Sequence, residues 1–600
     1  MISCDPALRM RLIAAAQDLA APDLLIRGAQ VWNAFTGEIE AADIAVCADR
    51  IAKVGPWSGP VSEATQQIDA SDKVAVPGYI EPHTHPWPFV NPLSLAEAAA
   101  CRGTTCLVYD QSLLYLALGS ERLEQAVDAL SAAALTQIFW VARVAGQSRF
   151  LGEEQFFSRD AIGRLLDNRN FLGTAEMTRW SDLLDPDRSE RILDLFEDAR
   201  RRGKYNDGHM AGASQRRLDA LATAGIRCCH EAIDADEAID RLRRGIWVIF
   251  RNSSLREDLS ALLPSLERSE FHDRFAYTTD AVAEPFVEEH GYIDYMIGVA
   301  LRAGVAPGTA YRMATLNAAT LLRLDDDLGA VAPGRIANVN LLSGLEQPAP
   351  EAVVCRGRLV ARDGALVVSA PSEHFNWEEC YAGSAPSIPQ WGAGVFALPV
   401  RAPNPFPAGR LINAVITRTS PVCLRADRLG LWPVEPDSLV LAATDRGGHW
   451  ITRGVVQNMA PGLLALATTY TTSGGILVLG QSAQAMAEAL ARLRRLGGGI
   501  TICSISGRWW ELAFPVAGIH RAGGFSGAVQ AARAFQAALK DCGYPHADPK
   551  YTLLFLTGDV LPELRATEAG WISLRTGEIL FPSERLNDDV QTRTTLPAEG

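Results

Sequence analysis

Hydrophobic positions recur along this chain in two textures. Over residues 23–72 they alternate with polar ones and break often, through Leu24–Arg27, Val31–Asn33, a turn at Thr36-Gly37, Asp43–Cys47 and Arg50–Val54. A period of two with frequent turns predicts short antiparallel strands. The same texture returns at Asn338–Leu342, Ala352–Cys355 and Leu359–Val360, with a turn at Cys355-Arg356-Gly357-Arg358. Residues 22–73 and 331–372 are therefore expected to form one small β-sandwich domain built from both flanks.

Between the flanks, apolar runs alternate with helical periodicity. Strands are expected to end near Glu81, Asp110, Val144, Glu176, His209, His230, Arg251 and Asp280, the first of them running from Val74. Helices are expected over Arg188–Arg201, Gln215–Ala224, Ala235–Arg243 and Arg256–Leu266. Eight strands alternating with helices over roughly 250 residues is the arithmetic of a (β/α)8 barrel, an α/β fold, here residues 74–330. The beat is weakest at the third strand and at the fifth, where Lys204–Gly208 is polar. Two further helices, His290–Ala303 and Pro307–Leu324, finish the block. Residues 373–408, rich in Pro, Gly and Ser, read as a linker. A mixed α/β domain over 409–600 follows, with helices at Ser482–Leu496 and Gly527–Asp541 and strands at Gly475–Leu479 and Tyr551–Leu556. Residues 1–21 predict a lead-in helix, with Asp5 as cap and Pro6 at its first position.

Composition narrows the function. A formal net charge of −14 argues against a nucleic-acid or anionic membrane partner. No apolar run is long enough to span a bilayer. Eleven cysteines, odd in number and without a C-x-x-C pair, read as reduced thiols of a cytoplasmic protein. The adjacent Cys228 and Cys229 are expected to be packed core thiols.

The chemistry gathers at strand ends. In Glu81-Pro82-His83-Thr84-His85 the histidines are spaced i, i+2, which turns both imidazoles to one face of a strand. Imidazole suits divalent Zn, Mn and Fe. Glu176, His209, His230 and Asp280 fall at the ends of the fourth, fifth, sixth and eighth strands, on the rim where barrels of this class carry their chemistry. Four imidazoles and two carboxylates exceed the needs of one tetrahedral ion. They suit two divalent ions with Glu176 between them and a hydroxide in the open position. Such a field draws the pKa of water from ~15.7 towards ~7. Asp280 could then take the proton and pass it to a leaving nitrogen. The expected reaction is hydrolytic attack at a carbon bearing nitrogen. Phosphate-loop, H-E-x-x-H and small zinc-deaminase motifs are missing. Gly497-Gly498-Gly499 reads as a helix terminus.

Pro77-Gly78-Tyr79-Ile80-Glu81-Pro82-His83-Thr84-His85 resembles the opening motif of the amidohydrolase superfamily, and further segments are similar to bacterial adenine deaminases. These include Leu172-Gly173-Thr174-Ala175-Glu176-Met177, Gly208-His209-Met210-Ala211-Gly212, Arg312-Met313-Ala314-Thr315-Leu316-Asn317 and Pro515-Val516-Ala517-Gly518. The resemblance covers residues ~20–580. It implies a binuclear Mn or Fe hydrolase, with Zn as the alternative, removing the 6-amino group of a purine base. It also implies Arg251 and Ser254 as substrate contacts. The chain departs from the family at Asp110-Gln111-Ser112-Leu113, at Arg251-Asn252-Ser253-Ser254 and at Ala467-Thr468-Thr469-Tyr470-Thr471-Thr472. These changes fall on groups expected around the substrate, not on the six metal candidates. An N-substituted aminopurine or a cyclic amide is therefore an alternative substrate, and a ligand-binding paralogue without turnover is a third reading. The expected partners are a purine-like small molecule and a second copy of the chain in a homodimer.

Overall fold

The computed structural model describes residues 5–586; expectations for residues 1–4 and 587–600 lie outside them. Gly78 divides two sheets. Val74–Pro77 pairs parallel with Leu24–Trp32 and antiparallel with Val339–Leu342, so it belongs to the flanking β domain. Tyr79–Thr84 starts a different sheet. The two sheets approach so closely that a Cβ at Gly78 would lie 2.2 Å from Thr105 Oγ1. The expected single strand from Val74 is thus two strands. The β domain is one continuous nine-stranded sheet that joins strands from both flanks, and residues from its two halves, such as Ile44, Ile51, Val339 and Val354, pack into one core.

Eight parallel strands follow in two arcs. The first holds β1 (Tyr79–Thr84), β2 (Thr104–Asp110), β3 (Gln137–Ala142), β4 (Phe171–Met177) and β5 (Tyr205–Gly208). The second holds β6 (Cys228–Cys229), β7 (Trp247–Arg251) and β8 (Phe275–Thr278). Backbone bonds join both seams. Arg227 N donates to Asn206 O at 2.9 Å between β5 and β6, and His85 N donates to Asp280 O at 3.0 Å beyond β8 and β1. Inward positions such as Ile80, Val108, Val141, Ala175 and Ile249 are buried together with Leu321, Leu322 and Leu324. Those leucines close the N-terminal end of the strands, where Arg227 Nε donates to Leu321 O at 3.1 Å. The C-terminal ends stay available for polar side chains.

Helices occupy the expected places with shifted ends: Arg188–Arg201 starts earlier, as Pro186–Arg201, and Gln215–Ala224 ends one residue sooner, as Gln215–Thr223. Arg256–Leu266 contracts to Leu259–Leu262 and a 3-10 turn, Leu263–Ser265. The expected helix His290–Ala303 shortens to Ile293–Arg302, and Gly291 separates it from a further helix, Glu284–His290, that was not read from the sequence. The expected strand Tyr551–Leu556 is instead a helix, Pro549–Phe555. Asp548 caps it by accepting from Lys550 N, and Pro549 presets its first turn; these signals outweigh an apolar run too short to show its own period.

The C-terminal region has its own nine-stranded sheet, with helices Ala483–Leu496 and Phe525–Asp541. Gly497 ends the first of these in the left-handed conformation, the terminus read from the glycine run. The 373–408 segment is no loose tether, because Ile388, Trp391, Val395 and Phe396 are buried in the core of that sheet. Asp5 caps the lead-in helix Pro6–Ala16. The ten cysteines among the described residues are all free. No described helix is long and apolar enough to cross a membrane.

Candidate metal centre

β1 ends in the two histidines. Each has one ring nitrogen held by a neighbouring element, which leaves the other directed inward. His83 Nδ1 lies 2.8 Å from Asp207 Oδ2, at the end of β5. His85 Nδ1 lies 2.9 Å from the Asp110 carbonyl, at the end of β2. A carbonyl only accepts, so His85 carries its proton on Nδ1. The two Nε2 atoms face each other at 3.2 Å. Asp280 Oδ1 stands 3.7 Å from the first and 3.2 Å from the second.

Glu176, at the end of β4, divides its oxygens. Oε1 accepts from Arg143 Nη2 at 2.9 Å and lies 3.6 Å from His85 Nε2. Oε2 meets His209 Nδ1 at 2.7 Å and lies 3.4 Å from His230 Nε2. Three clusters result: His83, His230 and Asp280; His83, His85 and Glu176; and Glu176, His209 and His230. Within each, the ligand-type atoms lie within 4.8 Å of one another. Their union is the six residues read from the strand ends. Each pair of clusters shares one residue, His83, Glu176 or His230, so the six form one continuous group of donors.

The chemistry of these donors fits divalent ions. His230 is fully buried, yet neither ring nitrogen has a hydrogen-bond partner. Burial lowers the pKa of His83, but Asp207, Asp280 and Glu176 raise it well above the ordinary imidazole range. A cation would take the place of that proton. Burial raises Glu176 and Asp280, and the surrounding imidazoles outweigh it, leaving both well below the usual carboxylate range. The buried carboxylates of Asp110, Glu176, Asp207 and Glu231, together with Asp280, outnumber Arg143 and Arg251, an excess that cations would neutralise. His209 and Asp280 have side chains 21% and 20% exposed, while those of the other four are nearly sealed, so the centre is open to solvent on their side.

Several groups of this centre were not read from the sequence. Glu231 lies 3.6 Å from His209 Nδ1 and 3.7 Å from His230 Nε2, and is pushed down to about 2 because His209, Arg251 and His230 outweigh its burial. Period-two alternation would turn it away from His230, but β6 ends at Cys229 and that rule no longer applies. Arg143 bonds Asp110 Oδ1 at 2.8 Å as well as Glu176. Gln147 Nε2 lies 3.4 Å from Glu176 Oε1. Cys228 is a core thiol whose Sγ lies 3.0 Å from Asp207 Oδ1. Arg251 and Ser254, expected at the substrate, have other partners. The Arg251 guanidinium meets Glu231, Asp280 Oδ2 at 3.1 Å and Asp258 at 3.4 Å, and Ser254 Oγ accepts from Ala283 N at 2.9 Å.

Residues 74–360 match the amidohydrolase family, and residues 414–578 match the adenine deaminase C-terminal domain. A protein of Bacillus anthracis named "Putative adenine deaminase" is 32% identical over 93% of this chain and 94% of its own length. An adenine deaminase of Cenarchaeum symbiosum is 29% identical over 94% and 93%. Among solved structures, a β-aspartyl dipeptidase of Fervidobacterium islandicum is similar with a TM-score of 0.44 and 16% identity, over 58% of this chain and 98% of its own. With a rim of histidines and acids on a chain aligned almost end to end to the Bacillus anthracis and Cenarchaeum symbiosum proteins, this protein belongs to the adenine deaminase family of amidohydrolases.

Proposed function

We propose that the protein is a metal-dependent hydrolytic deaminase of a purine base, converting adenine and water to hypoxanthine and ammonia. The observation that carries this reading is the convergence of His83, His85, Glu176, His209, His230 and Asp280 into three overlapping clusters. His83, His85 and Asp280 would hold one divalent ion and His209 and His230 the other, with Glu176 between them; Mn or Fe is preferred, and Zn is the alternative. Bound there, the ions supply the Lewis acidity that makes water a nucleophile near neutral pH.

The chain's own groups complete the reaction. Asp280 Oδ1 faces the histidines and accepts the proton of the attacking water, while Arg251 Nη1 holds Oδ2. The water oxygen bonds to C6 of the purine, and the proton passes from Asp280 to the departing amino group, which leaves as ammonia. Arg143 and Gln147 keep Glu176 oriented through Oε1. The buried oxygens Gln111 Oε1 and Gln147 Oε1 have no partner and are acceptors for ring N–H groups; Trp87 Nε1 and Tyr470 Oη are unpartnered donors. Trp87 stacks on His85 with centroids 4.3 Å apart, and Tyr470 meets Trp87 edge-on at 6.5 Å. Arg251 and Ser254 thus serve the reaction through Asp280 and its loop.

A chain loaded with Mn2+ is expected to release ammonia from adenine. Chelation or His83→Ala should lower the rate at least ~100-fold, since a ligand is lost outright. No turnover of any aminopurine, with at least one ion bound per chain, would sink this reading. One observation favours an N-substituted aminopurine or cyclic amide. In segment 468–472, Thr469 and Thr471 bond the Gly518 and Gly475 carbonyls and Thr472 bonds Thr557, which leaves Tyr470 to meet the substrate. A panel of substituted purines and cyclic amides decides between the two by kcat/KM.

A further inference from the structure

The C-terminal region reaches the loop that follows Asp280, and we infer that Lys550 and Tyr551 are positioning residues that hold Asp280 in register with the metal centre. This rests on the reading of Asp280 as a reaction-centre carboxylate. Asp280 sits at φ +56°, in the left-handed region that a residue with a Cβ keeps only where its surroundings impose it. Part of that restraint comes from the barrel. The Asp280 carbonyl accepts from His85 N at 3.0 Å and Thr84 Oγ1 at 2.7 Å, and Arg251 holds its Oδ2.

The rest comes from the residues that follow. Ala281 O accepts from Tyr551 Oη at 2.6 Å. Val282 O lies 3.4 Å and Glu284 Oε2 3.3 Å from Lys550 Nζ. Ala283 N donates to Ser254 Oγ. Each of the four residues after Asp280 is therefore tied, three of them by Lys550 and Tyr551 of helix Pro549–Phe555. Lys550 and Glu284 are both buried. A buried ion pair adds less stability than apolar residues of the same volume would, so cohesion alone does not explain a lysine here. Its location does: the pair fixes the loop that presents Asp280. The same helix receives Thr472 N on its Leu554 carbonyl at 3.0 Å, which connects the loop to the segment that departs from the family pattern.

The test uses the full chain and Mn2+ alone as the first probe. Tyr551→Phe removes one hydroxyl, and Lys550→Met removes the charge but keeps the stem. Each is expected to weaken Mn2+ binding to the metal-free protein about tenfold, the lower end for residues that orient ligands. Tyr551→Phe should move the melting midpoint of the metal-free protein by no more than about 2 °C, whereas Lys550→Met, which leaves Glu284 buried without its cation, should lower it. Lys550→Arg should restore the affinity. With adenine, kcat should fall while KM stays within about threefold, the signature of a lost transition-state arrangement. Leu539→Ala, a core truncation in helix Phe525–Asp541, should lower the melting midpoint and leave Mn2+ affinity unchanged. Wild-type Mn2+ affinity in both Tyr551→Phe and Lys550→Met overturns the inference, as does an equal loss in Leu539→Ala. Asp280→Asn separates the two readings. If it still turns over adenine, the role given to Asp280 is wrong. If it is inactive while Tyr551→Phe and Lys550→Met behave as wild type, only the positioning role fails.

Discussion

His83 is useful to a metal only in one tautomer, and Asp207 enforces it. Asp207 Oδ2 takes the Nδ1 side of the ring, while Oδ1 accepts from Gly208 N at 2.8 Å and faces the Cys228 thiol. An asparagine has a single acceptor oxygen, so it can serve His83 or the Gly208 side but not both. Asp207→Asn is therefore expected to weaken Mn2+ binding by ~10- to 100-fold with the fold intact. Calorimetric titration of the metal-free protein checks this, and an unchanged affinity would refute the orienting role. The six ligand candidates were legible because each stands at a strand end, where sequence spacing alone predicts a shared rim. Their supports were not. Asp207 is 124 residues from His83, and Arg143 is 33 from both Asp110 and Glu176. Closure of the barrel brings such partners together, and no local period announces that. Glu231 escaped for a different reason: it follows a strand of only two residues, so side-chain alternation had ended before it.

Among the elements, strands with long apolar runs were readable, and so were helices with caps and charged faces. β2 and β4 fall where the pattern put them, and helix Pro186–Arg201 shows its capping aspartate and first-turn proline. Short elements were ambiguous. Seven residues at Pro549–Phe555 fit a strand or a helix equally by hydrophobicity, and only tertiary packing and the cap decide. Helix Ile293–Arg302 carries a testable burden in its first turn. Asp294 is buried, and desolvation raises its pKa to about 6, against the pull of the Tyr292 amide at 2.6 Å. The unfolded chain gives up this proton near 3.8. Between those values the folded state binds more protons, so stability falls as pH rises from about 4 to 6 and stays lower above that. The full shift corresponds to at most about 3 kcal/mol. Asp294→Asn should therefore raise the melting midpoint at pH 8 and leave it nearly unchanged at pH 4. A gain of the same size at both pH values would place the effect in packing instead of ionisation.

Across the whole molecule, helix Pro549–Phe555 and the loop around His520 bring the C-terminal region against the rim that carries the metal-centre candidates. Composition placed that domain in the chain but could not say where it docks, since the contacts join residues more than 250 apart. One of them titrates. His520 is fully buried; its Nδ1 donates to the Val90 carbonyl at 3.0 Å, and its Nε2 has no partner. Beside it, Arg521 N donates to Pro88 O at 3.0 Å and Asn91 Nδ2 donates to Gly523 O at 2.8 Å, so this contact anchors the loop after His85. Burial depresses His520 to about 3, against 6.5 for an ordinary imidazole. Between those values the unfolded or undocked chain binds the extra proton. The contribution is intact above about pH 6.5 and is lost as pH falls towards 3, with a ceiling of about 5 kcal/mol. His520→Gln keeps an N–H for Val90 without a group that charges. In metal-free protein, where ligand protonation cannot release an ion, the variant's acid transition by intrinsic fluorescence should lie at lower pH than that of the wild type. If the two midpoints coincide, acid opens the molecule elsewhere, and the docking of the C-terminal domain over the metal centre does not depend on a neutral His520.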